Sequence, residues 1–175
     1  MIVLRLNIQR ISMNSRIKEI ATMGMMVAIL EVVKFALMFL PNVELVSLLI
    51  ILFTLLIGSK AFIVVTAFSI VEVIIWGFGL WSIGYFYVWP ILVLVTIILK
   101  KYMNSLVCAI VSGFFGLSFG GLFAVTYIFT SGFEAAMAYW ISGLPFDLIH
   151  CVSNFLLALV AFKPLHYICM KVYNR

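Results

Sequence analysis

Long apolar runs separated by short polar connections dominate this chain and restrict its fold more than any other feature. Of its 175 residues, 66 % are hydrophobic and 10 % are charged, and the mean hydropathy is +1.29. Soluble domains are about 45–50 % apolar and about 25 % charged. A chain this short has too little interior to hide so many apolar side chains from water. The sequence therefore predicts an integral membrane protein.

The apolar runs predict an all-α bundle of six transmembrane helices that forms one domain over residues 1–175. A helix of about 20 residues crosses the hydrocarbon core of a bilayer. Turn-forming residues such as Pro41-Asn42 divide the runs, and Pro145 suits the first turn of the last helix. An alternative with five spans and a re-entrant segment at 43–58 remains open. The predicted spans are about 18–40, 43–58, 60–77, 84–99, 105–129 and 144–163.

The distribution of Lys and Arg predicts which way the bundle faces. With six spans, ten of the eleven cations fall on one side, and the other three connections contain none. The positive-inside rule places this side, and with it both termini, in the cytoplasm. Cations scattered in this way form no dense nucleic-acid-binding run. The ten residues are Arg5, Arg10, Arg16, Lys18, Lys60, Lys100, Lys101, Lys163, Lys171 and Arg175.

Polar side chains inside the predicted spans are the first candidates for function. A charge near the bilayer centre costs at least about 2.5 kcal/mol. On the last span, candidates at spacings of three and four residues form one polar stripe. All of the candidates lie toward the predicted outer side, so they predict a ligand cavity that opens outward. They are Lys34, Glu44, Glu72, Asp147, His150 and Asn154.

Each of these residues also has a structural interpretation. Glu31 and Lys34 lie three residues apart on one helix and could pair with each other. Asp147 could serve only to stabilise the start of its own helix, because a carboxylate interacts favourably with the positive N-terminal end of a helix. His150 could be a packing residue that is hydrogen-bonded to Asp147.

Aromatic residues lie at the same predicted level of the membrane. Trp81, Tyr85 and Trp89 recur every four residues and would present one aromatic face, with Trp76 nearby on the preceding span. Such a face can stack a planar ligand. Tryptophan and tyrosine belts that anchor helices at the membrane interface are the alternative explanation.

Small residues at four-residue intervals predict close helix contacts. Ser112, Gly116, Gly120 and Ala124 form a groove that we assign to packing within the bundle. Gly24 and Ala28, preceded by Ala21, form a second small patch in the cytoplasmic half of the first span. This patch could receive another subunit.

The chain lacks the G-x-x-x-x-G-K-[ST], H-E-x-x-H and G-x-S-x-G motifs. It has two histidines, and its three cysteines show no paired spacing. We therefore expect no catalytic residues, no metal and no cofactor in the chain.

The chain resembles the substrate-binding S component of energy-coupling factor (ECF) vitamin transporters from Arg16 to Lys163. The resemblance is carried by the six-span length, by the stretch from Ala21 to Ala28, and by two segments that face outward. The first stretch matches the A-x-x-x-A contact motif of the family, with Gly24 in place of the first Ala. The outer segments are Pro41 to Glu44 and Pro145 to Asn154.

The resemblance implies a receptor in a bacterial cell membrane that captures a vitamin from outside. It would assemble with a transmembrane T component and two cytoplasmic ABC-type ATPases, using Ala21, Gly24 and Ala28 as the docking patch. Its pocket would lie in the outer half and be closed by the connection from Leu40 to Glu44. We expect a ring-bearing vitamin or precursor, with a corrinoid favoured over smaller candidates such as thiamine or biotin.

Two other functions remain open from the sequence. A stand-alone secondary transporter would use Glu31, Lys34 and Glu72 as proton or ion sites. A membrane-embedded hydrolase would use Asp147 and His150 as acid and base.

Overall fold

The computed structural model describes residues 2–173, with side chains from residue 16 onward, and this part of the chain is helical without a strand. Arg175 lies outside the described residues, as do the side chains of Arg5 and Arg10. Short 3-10 turns follow the second and fourth helices, at Gly58–Lys60 and Lys100–Tyr102. The helices are α1 (Ile2–Leu37), α2 (Val46–Ile57), α3 (Ala61–Trp76), α4 (Leu80–Leu99), α5 (Ser105–Ser131) and α6 (Phe133–Tyr173).

Five helical stretches in the described residues are long and apolar enough to cross a membrane. The helices α1, α4, α5 and α6 each supply one, and α2 and α3 together form the stretch Val46–Trp76. Alone, the 12 residues of α2 reach about 18 Å at 1.5 Å per residue, less than a bilayer core. The all-helical architecture is confirmed for the described residues, and the long apolar helices are compatible with a membrane bundle. The number of crossings and the orientation stay predictions.

The helix α2 forms the centre of the bundle. Its residues Val46 to Thr54 are all buried, and they pack mainly against α4 and α6. A helix that is apolar around its whole circumference has no face that suits water, which explains its central position. This helix begins directly after the connection 38–45, so the connection is held at the edge of the core.

The last helix differs from its prediction. The sequence suggested a long connection after Ser131 and a helix that begins near Pro145, but only Gly132 separates α5 from α6, and Pro145 lies inside α6. Gly132 has φ +89°, a conformation that ends a helix with little strain for glycine alone. The assignment of Pro145 to the first helical turn was therefore wrong.

Glycines bring α5 and α6 into close antiparallel contact. A Cβ atom added to Gly116 would lie 2.8 Å from the backbone oxygen of His150, and one added to Gly113 would lie 3.0 Å from Cβ of Phe155. At Gly120, an added Cβ would meet the carboxylate of Asp147. The prediction that the small-residue groove serves internal packing is confirmed, and it sets the height of the polar stripe on α6.

Replacing Gly116 with Ala is expected to destabilise the protein by about 1–3 kcal/mol, the usual cost of overpacking. The clash involves the backbone of α6, which cannot swing aside as a side chain can. Gly143→Ala is the matched control, because an added Cβ meets nothing within 4 Å there. It should be neutral or stabilising by up to about 1 kcal/mol through helix propensity. Thermal unfolding in detergent measures both, and equal effects would contradict the packing role.

Candidate functional site

A cavity of about 310 Å³ lies between α1, α3, α4, α5 and α6. It brings together five of the predicted site residues from three helices. Three further aromatic side chains, from α5 and α6, complete its wall. The lining residues are Lys34, Glu72, Trp76, Trp81, Tyr85, Phe119, Phe123 and Tyr139.

A charged pair forms the polar part of the cavity. The ammonium of Lys34 on α1 donates to Oε2 of Glu72 on α3. Glu72 is fully buried, while about a third of the Lys34 side chain remains accessible. Glu31, one helical turn before Lys34, has no hydrogen-bond partner among the described residues, because Lys34 pairs with Glu72. The alternative in which Glu31 and Lys34 simply neutralise each other was therefore wrong.

Aromatic rings form the opposite part of the wall. The rings of Trp81 and Tyr85 are 5.3 Å apart and those of Tyr85 and Trp89 are 5.5 Å apart, both edge to face. Nζ of Lys34 lies 5.3 Å from the centre of the Tyr85 ring, within cation–π range. Trp89 is 3 % exposed and supports the wall from behind without lining the cavity.

A second polar cluster holds the connection between α1 and α2. Glu44 accepts hydrogen bonds from the Ser47 backbone N–H at 2.8 Å, the Ser47 hydroxyl at 2.6 Å and Nδ2 of Asn154 at 2.8 Å. Nε2 of His150 lies 3.2 Å from Oε1 of the same carboxylate. Ser153 also donates to the backbone oxygen of Asn42 at 2.6 Å. Residues 38–45 are thus attached to α6 at two points.

This cluster adjoins the cavity without lining it. The ring of His150 packs edge to face on Phe119, with centroids 5.1 Å apart, and Phe119 lines the cavity. The structure thus places Glu44, His150 and Asn154 where they hold a connection beside the cavity. Their predicted direct contact with a ligand stays a prediction.

Asp147 lies apart from both groups. One of its carboxylate oxygens accepts a hydrogen bond from the backbone N–H of Gly120 at 3.0 Å, and the other has no partner in the described residues. It lies well inside α6, so the interpretation as a residue at the helix start was wrong. His150 faces Glu44, so its proposed hydrogen bond to Asp147 was wrong too. Asp147 and His150 share no hydrogen bond among the described residues, and their role as acid and base stays a prediction.

Three lining residues were missed from the sequence: Phe119, Phe123 and Tyr139. With 16 phenylalanines in the chain, no pattern marks the two that reach the cavity. Tyr139 lay in what the sequence suggested was a connection. Its position in the first turns of α6, with its ring stacked on Tyr127 at 4.3 Å, places it beside the cavity.

The small patch on α1 is uncovered. Ala21, Gly24 and Ala28 are all exposed, and an added Cβ at Gly24 would meet nothing within 4 Å. No described part of the chain packs on this patch. Its use as a docking surface stays a prediction.

Comparisons of the chain with family models, curated proteins and solved structures give no match. The arrangement of the side chains therefore has to support any statement about function. No three His, Cys, Asp or Glu side chains in the described part of the chain are placed to hold a metal ion together.

Proposed function

We propose that this protein is the substrate-binding S component of an ECF-type importer, which captures a vitamin or related micronutrient from outside the cell. The single observation that carries the proposal is the cavity that joins a buried Lys34–Glu72 pair to an aromatic wall. Small-molecule sites combine concave apolar surface with a few convergent polar groups in this way. The resemblance from Arg16 to Lys163 supports the same assignment.

The proposal includes six spans, with α2 and α3 as separate crossings, and both termini in the cytoplasm. A surface ion pair supports the common side for two of the connections. Nζ of Lys60, in the turn after α2, lies 2.8 Å from Oε1 of Glu19 near the basic end of α1. The attachment of residues 38–45 to α6 lies at the other end of α1, which would be the outer side.

Energy would come from partner subunits. A transmembrane T component would dock on the exposed patch of Ala21, Gly24 and Ala28, and two cytoplasmic ABC-type ATPases would drive its motion. Such motion can release the ligand inside only if the state it favours binds the ligand less well. The connection at residues 38–45 is a suitable element to change conformation during release. It lies beside the cavity, and its side-chain attachments to α6 are few.

Co-expression with a T component and its ATPases tests the proposal. We expect the protein to be captured by the T component, and cells to take up the ligand only when the ATPases are active. Mass spectrometry of protein purified from rich culture would identify the ligand. Absence of capture together with absence of ATP-dependent uptake would refute the proposal.

A stand-alone secondary transporter is the second candidate, favoured by two buried carboxyl groups: that of Glu72, which lines the cavity, and that of Glu31, one helical turn before the lining residue Lys34. Ionisable groups inside the membrane often carry protons or ions in such proteins. Uptake that continues without any ATPase, and that stops in a Glu31→Gln variant, would favour this candidate over the first.

A further inference from the structure

The cavity lining contains one carboxyl group and one ammonium, and the carboxyl group is only partly satisfied. Glu72 is fully buried and has one oxygen, Oε1, that receives no hydrogen bond from the described residues. Lys34 is the one cation in the lining, and it pairs with the other oxygen of Glu72. Glu31 lies one helical turn before Lys34, behind the lining, and is also buried. Oε1 of Glu72 is therefore the acceptor that the cavity leaves open to a ligand.

Lys34 is already committed to other groups. It donates to Glu72 and lies over the face of Tyr85. An anionic ligand that drew Lys34 away would leave the buried carboxylate of Glu72 without a counter-charge, which is costly in a medium of low polarity. A cationic ligand would instead leave the Lys34–Glu72 pair in place and bind at Oε1 of Glu72.

The rest of the wall also suits a cation. Trp81, Tyr85, Phe119, Phe123 and Tyr139 surround the acidic end with aromatic rings. The faces of such rings are electron-rich and attract positively charged nitrogen. Flat heterocycles stack on the same faces, so one wall can hold both the ring and the charge of a ligand.

The volume limits the size of the ligand. At about 310 Å³, the cavity is at the lower end of the roughly 300–1,000 Å³ that small-molecule pockets span. A molecule of one or two rings fits this space. A corrinoid, with its four-pyrrole macrocycle, is larger than this space, so the volume favours a smaller ligand than the corrinoid expected from the sequence.

We propose that the ligand is a small organic cation, a molecule of one or two rings whose positively charged nitrogen binds at Glu72 and whose ring packs against the aromatic wall at Trp81. This inference rests on the proposed function for the identity of the site. To the proposed function it adds the charge and the size of the ligand.

Three pyridine compounds of similar size test the charge preference. These are 1-methylnicotinamide, nicotinamide and nicotinate, which are positive, neutral and negative at pH 7. Tryptophan fluorescence of the purified protein should report the tightest binding for the cation, at least about tenfold tighter than for the neutral amide. Tightest binding of nicotinate, equal binding of all three, or no binding up to about 10 mM would overturn the inference.

Substitutions then identify the residues that cause the preference for a cation. Glu72→Gln keeps the size of the side chain and should remove the preference for the cation. Lys34→Met should keep or tighten binding of the cation, whereas an anion site would lose its affinity. Capture by the T component, measured on the same preparations, shows that each variant is folded.

The capture measurement also separates the two proposals. Intact capture without any preference for the cation would overturn the charge inference alone. A preference for the cation that depends on Glu72, found in a protein that no T component captures, would support the charge inference and count against the transporter assignment.

Discussion

A tryptophan in place of Ala28 is expected to abolish capture of the protein by its T component while ligand binding stays intact. Ala28 is exposed on α1, beside Gly24, where an added Cβ meets nothing within 4 Å. Small residues let a partner backbone approach closely, and a large indole would hold the two helices apart. Co-purification with the tagged T component measures capture, and fluorescence measures ligand binding.

Ala36→Trp is the matched control. Ala36 is exposed on the same helix but lies eight residues further along, or about 12 Å. The substitution adds the same bulk near the other end of α1 and should leave capture unchanged. If both variants lose capture equally, the effect is not specific to the patch, and if Ala28→Trp loses ligand binding as well, the patch belongs to the fold and not to an interface.

The features that the sequence predicted well are those that one helix determines by itself. Apolar runs of membrane length predicted helices at nearly every place where the structure has them, since a lipid environment leaves few other ways to satisfy backbone hydrogen bonds. Gly116 and Gly120 predicted close packing because a repeat of four keeps them on one face. Their packing partners on α6 could not be named in advance.

Pairings between distant parts of the chain were beyond reach of the sequence. Lys34 has Glu31 one turn away, yet its partner is Glu72, which is 38 residues distant. Local spacing favoured Asp147 as the partner of His150, but the histidine faces Glu44, 106 residues away. Helical spacing shows which residues share a face, whereas the partner of that face depends on how the helices pack.

The start of α6 was missed for a different reason. Proline favours the first turn of a helix, and Pro145 lies two residues after Gly143, so the local pattern indicated a boundary there. Packing against α5 overrides this preference, because the contact continues across the proline from Tyr139, stacked on Tyr127, to Asp147 at Gly120. Tertiary contacts can maintain one continuous helix across a residue that locally favours a helix boundary.

Replacing Glu44 with Ala is expected to release the connection at residues 38–45 and to destabilise the protein by roughly 1–3 kcal/mol for each buried polar group that loses its partner. The carboxylate accepts hydrogen bonds from Ser47 and Asn154 and lies 3.2 Å from Nε2 of His150. Without it, His150 and Asn154 remain buried with unpaired donors. Thermal unfolding in detergent and hydrogen exchange of residues 38–45 measure the two effects.

Glu134→Ala is the control for loss of an acidic group, because Glu134 is exposed in the first turn of α6. It should cost less than about 1 kcal/mol, the usual size of an interaction with a helix terminus. Glu44→Gln separates charge from hydrogen bonding, because its amide oxygen can still accept a hydrogen bond from Asn154. Its loss of stability should therefore fall between those of Glu44→Ala and Glu134→Ala. If Glu44→Ala unfolds at the same temperature as Glu134→Ala and exchange at 38–45 is unchanged, the cluster does not hold the connection. Ser153 alone, through its bond to Asn42, would then be the attachment that keeps this segment beside the cavity.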